Sequence, residues 1–208
     1  LSPEARKANK GIKIVYTPIH GSGVEIVPEF LAKLGFENVY HVPEQDVIDG
    51  NFPTVKSPNP EEPGALAMAL AVADKEGADL VMATDPDADR IGIAVRDNEG
   101  KMVLLNGNQT GSILTYYILR RWSELGKLDG KQFIVKTIVT TELMRAIAEK
   151  YGVKVYNVLT GFKWIADIIK KNEGIATFVC GGEESYGFNV GDFVRDKDAP
   201  ITCAFVAE

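Results

Sequence analysis

The sequence has few cysteines, no long apolar run and no excess of positive charge, and each shortage excludes a class of protein. Cys180 and Cys203 are too few for a disulfide framework and are wrongly spaced for a zinc site. No apolar stretch approaches the roughly 20 residues that cross a bilayer, so we expect no membrane association. With 23 Lys and Arg against 29 Asp and Glu, the net charge of −6 argues against nucleic-acid binding, which depends mostly on basic residues.

No basic stretch at the start is followed by an apolar one, so no signal peptide is visible. Together with the scarcity of cysteine, this predicts a reducing, cytoplasmic location. The sequence begins with Leu1, and its last residues, 201–208, carry no turn or capping signal. We therefore expect both ends to lie within a longer chain. The 208 residues, 45% of them apolar, are enough for one large or two modest domains with packed cores.

Apolar runs of strand length alternate with helical patterns along the whole sequence. Strands are predicted at 13–16, 39–42, 79–84, 91–95, 101–105, 133–137, 153–158 and 176–180, and helices at 24–33, 61–75, 110–125, 141–150 and 162–171. This alternation predicts an α/β fold with two similar domains, residues 1–105 and 106–208. Each domain is expected to contain a mixed, mostly parallel sheet with helices on both faces. Because ligands of such sheets bind beyond the carboxyl ends of the strands, the loops leaving the strands are the candidate sites.

The clearest chemical signal is the run Thr84-Asp85-Pro86-Asp87-Ala88-Asp89-Arg90. Its three carboxylates follow an apolar strand at alternate positions, and they repel one another unless a positive charge lies among them. Alternate side chains in a curled loop can turn their oxygens toward one point, and oxygen ligands suit a hard cation such as Mg²⁺. Asp85, Asp87 and Asp89 are therefore candidate metal ligands, with a solvated acidic turn as the simpler alternative.

A second signal, Cys180-Gly181-Gly182-Glu183-Glu184-Ser185-Tyr186-Gly187, also follows an apolar strand. Its glycines allow the backbone to approach a ligand closely, and its carboxylates and hydroxyl can bind several sugar hydroxyls together. A tight turn with solvated glutamates fits the same residues equally well. The nearby run Arg195-Asp196-Lys197-Asp198 is, on its own, typical of an ordinary charged loop.

Taken together, these loops resemble those of one family, the phosphohexomutases, which comprises phosphoglucomutases and phosphomannomutases. The resemblance spans nearly the whole chain and is carried by Tyr16-Thr17-Pro18-Ile19-His20-Gly21, Asp49-Gly50-Asn51-Phe52-Pro53, Ala83-Thr84-Asp85-Pro86-Asp87-Ala88-Asp89-Arg90, Leu159-Thr160-Gly161-Phe162-Lys163, Gly182-Glu183-Glu184-Ser185 and Arg195-Asp196-Lys197-Asp198. Enzymes of this family have four domains, and the chain resembles the second and third. The first domain, with a phosphorylated serine, and the fourth, which holds the substrate phosphate, have no counterpart in the sequence.

The resemblance implies an enzyme that interconverts hexose 1-phosphate and hexose 6-phosphate, of glucose, mannose or both. The reaction would pass through a hexose bisphosphate intermediate and a phosphoserine outside this chain, so the chain alone is expected to be inactive. The implied metal ligands for Mg²⁺ are Asp85, Asp87 and Asp89. The implied catalytic residues are Arg90, which supports the phosphate, and Lys197, a candidate proton shuttle. The implied substrate-binding residues are Thr160, Gly161, Glu183, Ser185 and Lys197.

Two other functions remain open at the level of sequence. A Mg²⁺-dependent phosphatase would form a phosphoaspartate on Asp85, although its usual motif, Asp-x-Asp-x-Thr/Val, has Asp89 at the fifth position here. A non-catalytic module that binds a metal and a sugar phosphate would need neither of the two missing domains.

Overall fold

A computed structural model describes residues 1–208 as helices and strands that form two compact units. In chain order, the elements are α1 (Pro3–Asn9), β1 (Lys13–Thr17), α2 (Gly23–Lys33), β2 (Asn38–His41), α3 (Pro63–Glu76), β3 (Leu80–Thr84), β4 (Ile91–Arg96), β5 (Met102–Leu105), α4 (Gly107–Glu124), β6 (Gln132–Thr137), α5 (Glu142–Lys150), β7 (Lys154–Val158), α6 (Phe162–Lys171), β8 (Thr177–Gly182), β9 (Phe188–Val190) and α7 (Ala199–Ala207). Unit 1 contains residues 1–106 and 199–208, and unit 2 contains residues 107–198. No helix combines the length and the apolar character needed to span a membrane.

Unit 1 is built on a five-stranded sheet with the order β2-β1-β3-β4-β5. Strand β1 pairs in parallel with β2 and β3, whereas β3, β4 and β5 form antiparallel pairs. Alternate residues of β1 face opposite sides of the sheet. Ile14 and Tyr16 pack with α2 and α7 on one side, and Val15 packs with α3 on the other. The central strands are therefore covered on both faces, which matches their nearly continuous apolar sequence.

Unit 2 repeats this plan with four strands in the order β7-β6-β8-β9. Strand β6 pairs in parallel with β7 and β8, and the short strand β9 pairs antiparallel with β8. Phe133 and Val135 of β6 pack against Phe162 and Ile165 of α6. Lys136 follows Val135, so its side chain points to the opposite face of the sheet, where it contacts Glu142, the first residue of α5. Helices therefore cover both faces of this sheet as well.

The structure confirms the predicted α/β class, with two mixed sheets and helices on both faces. It also contains three elements without a predicted counterpart, namely α1, β9 and α7. Helix α7 packs on α2, β3 and β4 and thus belongs to unit 1, although residues 199–208 follow unit 2 in the chain. The sequence-based domain 106–208 groups these residues with the preceding unit instead.

Candidate functional site

The connection between β3 and β4, residues 85–90, brings its three aspartates together. One carboxylate oxygen from each of Asp85, Asp87 and Asp89 lies within 4.8 Å of the other two. Asp85 is buried, Asp89 is half-buried and Asp87 is exposed, so the cluster is accessible to solvent on one side. Ala88 has a φ of 56°, a left-handed conformation that curls the loop between Asp87 and Asp89. The curl places the alternating acidic side chains around one point.

Asp85 is oriented by hydrogen bonds from its own loop. Its Oδ1 accepts from the backbone N–H groups of Asp89 at 3.1 Å and Arg90 at 2.9 Å, and its Oδ2 accepts from Arg90 Nε at 2.6 Å. Burial raises the pKa of the Asp85 carboxyl, and the hydrogen bonds from Arg90 oppose that shift. Arg90 also lies 3.7 Å from Asp89 Oδ1 and 3.5 Å from Glu61 Oε1. One guanidinium therefore offsets part of the negative charge that the loop gathers.

Neighbouring segments of unit 1 hold the backbone of this acidic loop. The carbonyl of Pro86 accepts from Ser22 twice, from its backbone N–H at 2.8 Å and from its hydroxyl at 3.0 Å. The carbonyl of Ala88 accepts from the N–H of Ala199, the first residue of α7, at 3.2 Å. The loop is thus held by the β1–α2 turn on one side and by α7 on the other.

His20, in the turn after β1, fastens the long 43–62 segment to unit 1. Its Nδ1 donates to the carbonyl of Val47 at 2.8 Å, and its Nε2 lies 2.8 Å from Thr54 Oγ1. Because a carbonyl can only accept, the Nδ1 partner assigns the ring proton to Nδ1. Both ring nitrogens are engaged and the residue is buried, so His20 is a structural residue of the turn.

In unit 2, the connection between β8 and β9, residues 183–187, carries the second acidic pair; we call it the glutamate loop. Glu183 is buried, and its Oε1 accepts from the N–H of Gly161 at 2.8 Å. The loop is closed by a further bond from the N–H of Glu183 to the carbonyl of Gly187 at 2.8 Å. This arrangement links the glutamate loop to the turn that precedes α6. Ser185 lies half-buried in the same loop, and Thr160 is exposed beside Gly161.

Lys197 packs directly on the glutamate loop. A Cβ added at Gly187 would collide with Cγ and Cδ of Lys197, so the lysine stem can lie there only because this position is glycine. The backbone N–H of Asp198 donates to the carbonyl of Phe188 at 2.9 Å, which ties the 195–198 segment to β9. Unit 2 therefore brings Gly161, Glu183 and Lys197 into one neighbourhood.

Sequence analysis missed three residues that lie beside these sites. Asn59 and Glu61, at the end of the long 43–62 segment, lie beside Arg90, with Asn59 Oδ1 3.4 Å from Arg90 Nη1. Lys136 of β6 is fully buried and contacts the turn that leads into α5. The sequence does show a lysine in the otherwise apolar predicted strand 133–137, but this pattern does not indicate which residues the lysine contacts.

Comparison with known proteins identifies the family. A model of phosphoglucomutase/phosphomannomutase alpha/beta/alpha domain II matches residues 2–100, and the model of domain III matches residues 106–208. The chain belongs to the phosphoglucomutase/phosphomannomutase family. This confirms the resemblance inferred from the loop motifs. A phosphoglucomutase of Staphylococcus aureus (strain N315) is 43% identical over 201 residues, which cover 95% of this chain and 36% of that protein. The chain thus spans about a third of the length of this curated family member.

Solved structures show the same fold. A putative phosphomannomutase from Thermus thermophilus matches with a TM-score of 0.75 and 27% identity, over 99% of this chain and 44% of that one. An N-acetylphosphoglucosamine mutase from Aspergillus fumigatus, in complex with GlcNAc-6P and magnesium, has a TM-score of 0.60 over 99% of this chain and 44% of that one. At 15% identity, the second likeness shows the fold alone.

Proposed function

We propose that this chain contains the metal-binding and sugar-binding domains of a Mg²⁺-dependent phosphohexomutase. The enzyme would be an isomerase that interconverts hexose 1-phosphate and hexose 6-phosphate, of glucose, mannose or both. The observation that carries the proposal is the convergence of three carboxylates in a chain of this family. A phosphoserine in a first domain and a phosphate-binding fourth domain, both outside this chain, would complete the site. Two buried cysteines that form no disulfide fit a reducing compartment, and we propose a cytoplasmic location.

Asp85, Asp87 and Asp89 would hold the Mg²⁺. The donors fit the ion because all three are carboxylate oxygens, which hard cations prefer. Asp85 is already oriented by the loop backbone and by Arg90, so little side-chain freedom would be lost when a metal binds. Mg²⁺ bound here would neutralise negative charge as a phosphoryl group is transferred.

In unit 1, Arg90 would support the phosphoryl group beside the metal. In unit 2, Glu183 and Ser185 would bind the sugar hydroxyls, with Thr160 and Gly161 contacting the sugar from the adjoining turn. Support comes from the hydrogen bond that joins Glu183 to Gly161. Both hexose monophosphate and hexose bisphosphate would be bound by these residues.

Lys197 would transfer the proton of the sugar hydroxyl during the reaction. Its Nζ would accept the proton of the attacking sugar hydroxyl and later return one to the oxygen that leaves phosphorus. Its stem lies on Gly187, beside the loop of Glu183, which supports a place next to the sugar.

The residue at the fifth position of the acidic run argues against the phosphatase alternative. A phosphatase that forms a phosphoaspartate would have Thr or Val there, whereas this chain has Asp89, whose carboxylate converges with those of Asp85 and Asp87. The loop therefore offers three oxygen ligands to a cation.

A turnover assay tests the proposal. The full-length parent enzyme should convert glucose 1-phosphate or mannose 1-phosphate to the corresponding 6-phosphate when Mg²⁺ and a hexose bisphosphate are present. The isolated chain should not, because it has no phosphoryl donor, and loss of a nucleophile costs many orders of magnitude in rate. Turnover by the isolated chain, or release of inorganic phosphate as the main product of the parent, would contradict the proposal.

A further inference from the structure

The carboxyl end of β6 carries a lysine, Lys136, whose side chain has no exposure to solvent. Its Nζ donates to the carbonyls of Thr137 at 3.1 Å and Thr140 at 2.8 Å. Asn157 Oδ1 at 3.2 Å and Glu142 Oε1 at 2.9 Å complete its surroundings. An ammonium group has three protons, and four acceptors surround it here. The donor capacity of Lys136 is therefore used within unit 2.

Burying this lysine needs a physical reason. Removing an ammonium from water is unfavourable, and an apolar side chain of similar volume would fill the same space without that cost. Three of the four acceptors, the two threonine carbonyls and Glu142, lie in the turn between β6 and α5 or at the first residue of α5. Lys136 thus joins the start, the middle and the end of the 137–142 turn through one ammonium group, and its charge stabilises that turn.

The closed turn presents two hydroxyls to the glutamate loop. Thr137 Oγ1 and Thr140 Oγ1 lie 2.7 Å apart, and both approach Glu184 Oε2, at 3.1 Å and 3.2 Å. Two hydroxyl protons serve these three contacts, and an ionised carboxylate can only accept. At most one proton can lie between the threonines, so the other is donated to Glu184. The side chain of Glu184 is therefore anchored on the turn.

The backbone of Glu184 is constrained independently. A Cβ added at Gly107, the first residue of α4, would collide with the carbonyl of Glu184, so the loop lies in close contact with the helix start. Glu184 is thus fixed at both its side chain and its backbone. The residues on either side of it, Glu183 and Ser185, are those assigned above to the sugar hydroxyls.

We propose that Lys136 is a positioning residue for the sugar site. By closing the 137–142 turn it sets the threonine pair that anchors Glu184, and the anchored Glu184 fixes Glu183 and Ser185 for the sugar. The role of Lys136 in catalysis rests on the proposed function of the glutamate loop, whereas the anchoring does not. The two parts can be tested separately.

Hydrogen–deuterium exchange of the isolated chain tests the anchoring. Lys136→Met should speed amide exchange of residues 182–187 by at least ~10-fold, the equivalent of one charged hydrogen bond. Segment 80–84 of unit 1 serves as the internal reference and should not change. Lys154→Met, the same substitution at an exposed lysine of β7, is the matched control and should leave 182–187 protected. Unchanged exchange of 182–187 in a folded Lys136→Met variant would overturn the proposal.

Two milder variants keep the proposal testable where Lys136→Met fails to fold. Thr140→Val removes one hydroxyl but retains the carbonyl that Lys136 binds, and Glu184→Gln retains the shape of the anchored side chain. Each should speed exchange of 182–187 several-fold while the 137–142 turn stays protected. Wild-type exchange in both variants would overturn the anchoring.

Kinetics of the parent enzyme test the link to catalysis. Lys136→Met should raise KM for the hexose phosphate at least ~10-fold, with a smaller fall in kcat, because the sugar loop is misplaced and the proton shuttle is intact. The concentration of Mg²⁺ that gives half-maximal activity should not change. Faster exchange with normal kinetics would support the anchoring and contradict the sugar-binding function. Lost turnover without faster exchange would show that Lys136 acts directly on the substrate and would overturn the positioning role.

Discussion

The acidic loop of unit 1 and the glutamate loop of unit 2 occupy the same place in their sheets but arrange their carboxylates in opposite ways. Each joins a strand with a parallel partner on one side to its antiparallel neighbour on the other: β3 to β4 and β8 to β9. In unit 1 the acids alternate, and three carboxylates converge to within 4.8 Å. In unit 2 the acids are consecutive, and Glu183 and Glu184 accept hydrogen bonds from different segments of the chain.

This difference shows that the spacing of acids decides whether their carboxylates converge on one point or separate. Alternate positions in a curled loop gather negative charge that Arg90 offsets only in part, and a cation can supply the rest. At consecutive positions, Glu183 and Glu184 each accept hydrogen bonds from a different segment of the protein. Their carboxylates do not converge, so a cation is not needed to balance a local concentration of negative charge. If the geometry determines function, substitutions in the two loops should affect different steps of the reaction.

The largest effect is expected at Lys197, which tests whether unit 2 supplies the proton transfer. In the parent enzyme, Lys197→Arg keeps the positive charge but can hardly exchange a proton. We expect kcat to fall by about 10²–10⁴-fold, with an apparent KM near that of the wild type. Lys171→Arg, at an exposed lysine paired with Asp167, is the matched control. A kcat near the wild-type value in Lys197→Arg would mean that the residue is an electrostatic clamp.

A smaller effect is expected when the glutamate loop loses the proposed contact between Glu183 and the sugar. Glu183→Gln in the parent enzyme should lower kcat/KM by up to ~10²-fold, because the sugar is misplaced relative to the phosphoryl group. The Mg²⁺ dependence should stay the same, since no carboxylate of this loop is assigned to the metal. Glu173→Gln, at an exposed residue of unit 2, should have little effect. An altered Mg²⁺ dependence in Glu183→Gln would contradict the assignment of the metal to the acidic loop and of the sugar to the glutamate loop.

The acidic loop should also depend on the turn that holds it. Ser22→Ala removes the hydroxyl that donates to the carbonyl of Pro86 and leaves the backbone bond in place. The free energy of unfolding should fall by about 0.5–1.5 kcal/mol, the net worth of one hydrogen bond. Urea unfolding measures it, with Ser123→Ala, at an exposed serine of unit 2, as the control. An equal fall in the free energy of unfolding in both variants would show that the hydrogen bond from Ser22 to Pro86 adds no stability.

The smallest effect is expected from the cysteines, one in each unit. Cys180 and Cys203 are fully buried, and burial raises the pKa of the Cys180 thiol to about 12. At about pH 8 the native thiol is therefore protonated and inaccessible, whereas an unfolded cysteine, with a pKa of about 8.5, reacts readily. A thiol reagent should label neither cysteine in the native chain and both in guanidinium chloride. Rapid native labelling of one cysteine would identify a unit that opens.

Much of the fold is visible in the sequence because its signals are local. Helix ends are marked by glycines that adopt positive φ in the structure, with 91° at Gly35, 62° at Gly77 and 68° at Gly152. The acidic run is also local, since three aspartates within five residues come together through the curl of their own loop. Signals of this kind need no knowledge of the rest of the chain.

The features that sequence analysis missed depend on distant partners. Helix α7 is apolar at most positions and is buried by α2 and the sheet of unit 1, so it lacks the polar stripe that marks a surface helix. The role of Lys136 depends on backbone carbonyls that a folded turn brings together, and every residue type supplies such a carbonyl. Strand β9 has three residues, too few for a period to be recognised.

Titration of the isolated chain with Mg²⁺ tests the central claim most directly, because it compares the two loops without catalysis. Calorimetry should detect weak binding to the wild type, since the proposed phosphoserine ligand is outside the chain. Asp87→Ala should reduce that affinity by at least ~10²-fold, because losing a ligand should cost no less than losing a group that only orients one, for which roughly 10–100-fold is typical. Glu184→Gln in the other loop, and Asp74→Asn at an exposed acid of α3, should bind as the wild type does. Equal affinity in the wild type and Asp87→Ala, or lost affinity in Glu184→Gln, would contradict the account.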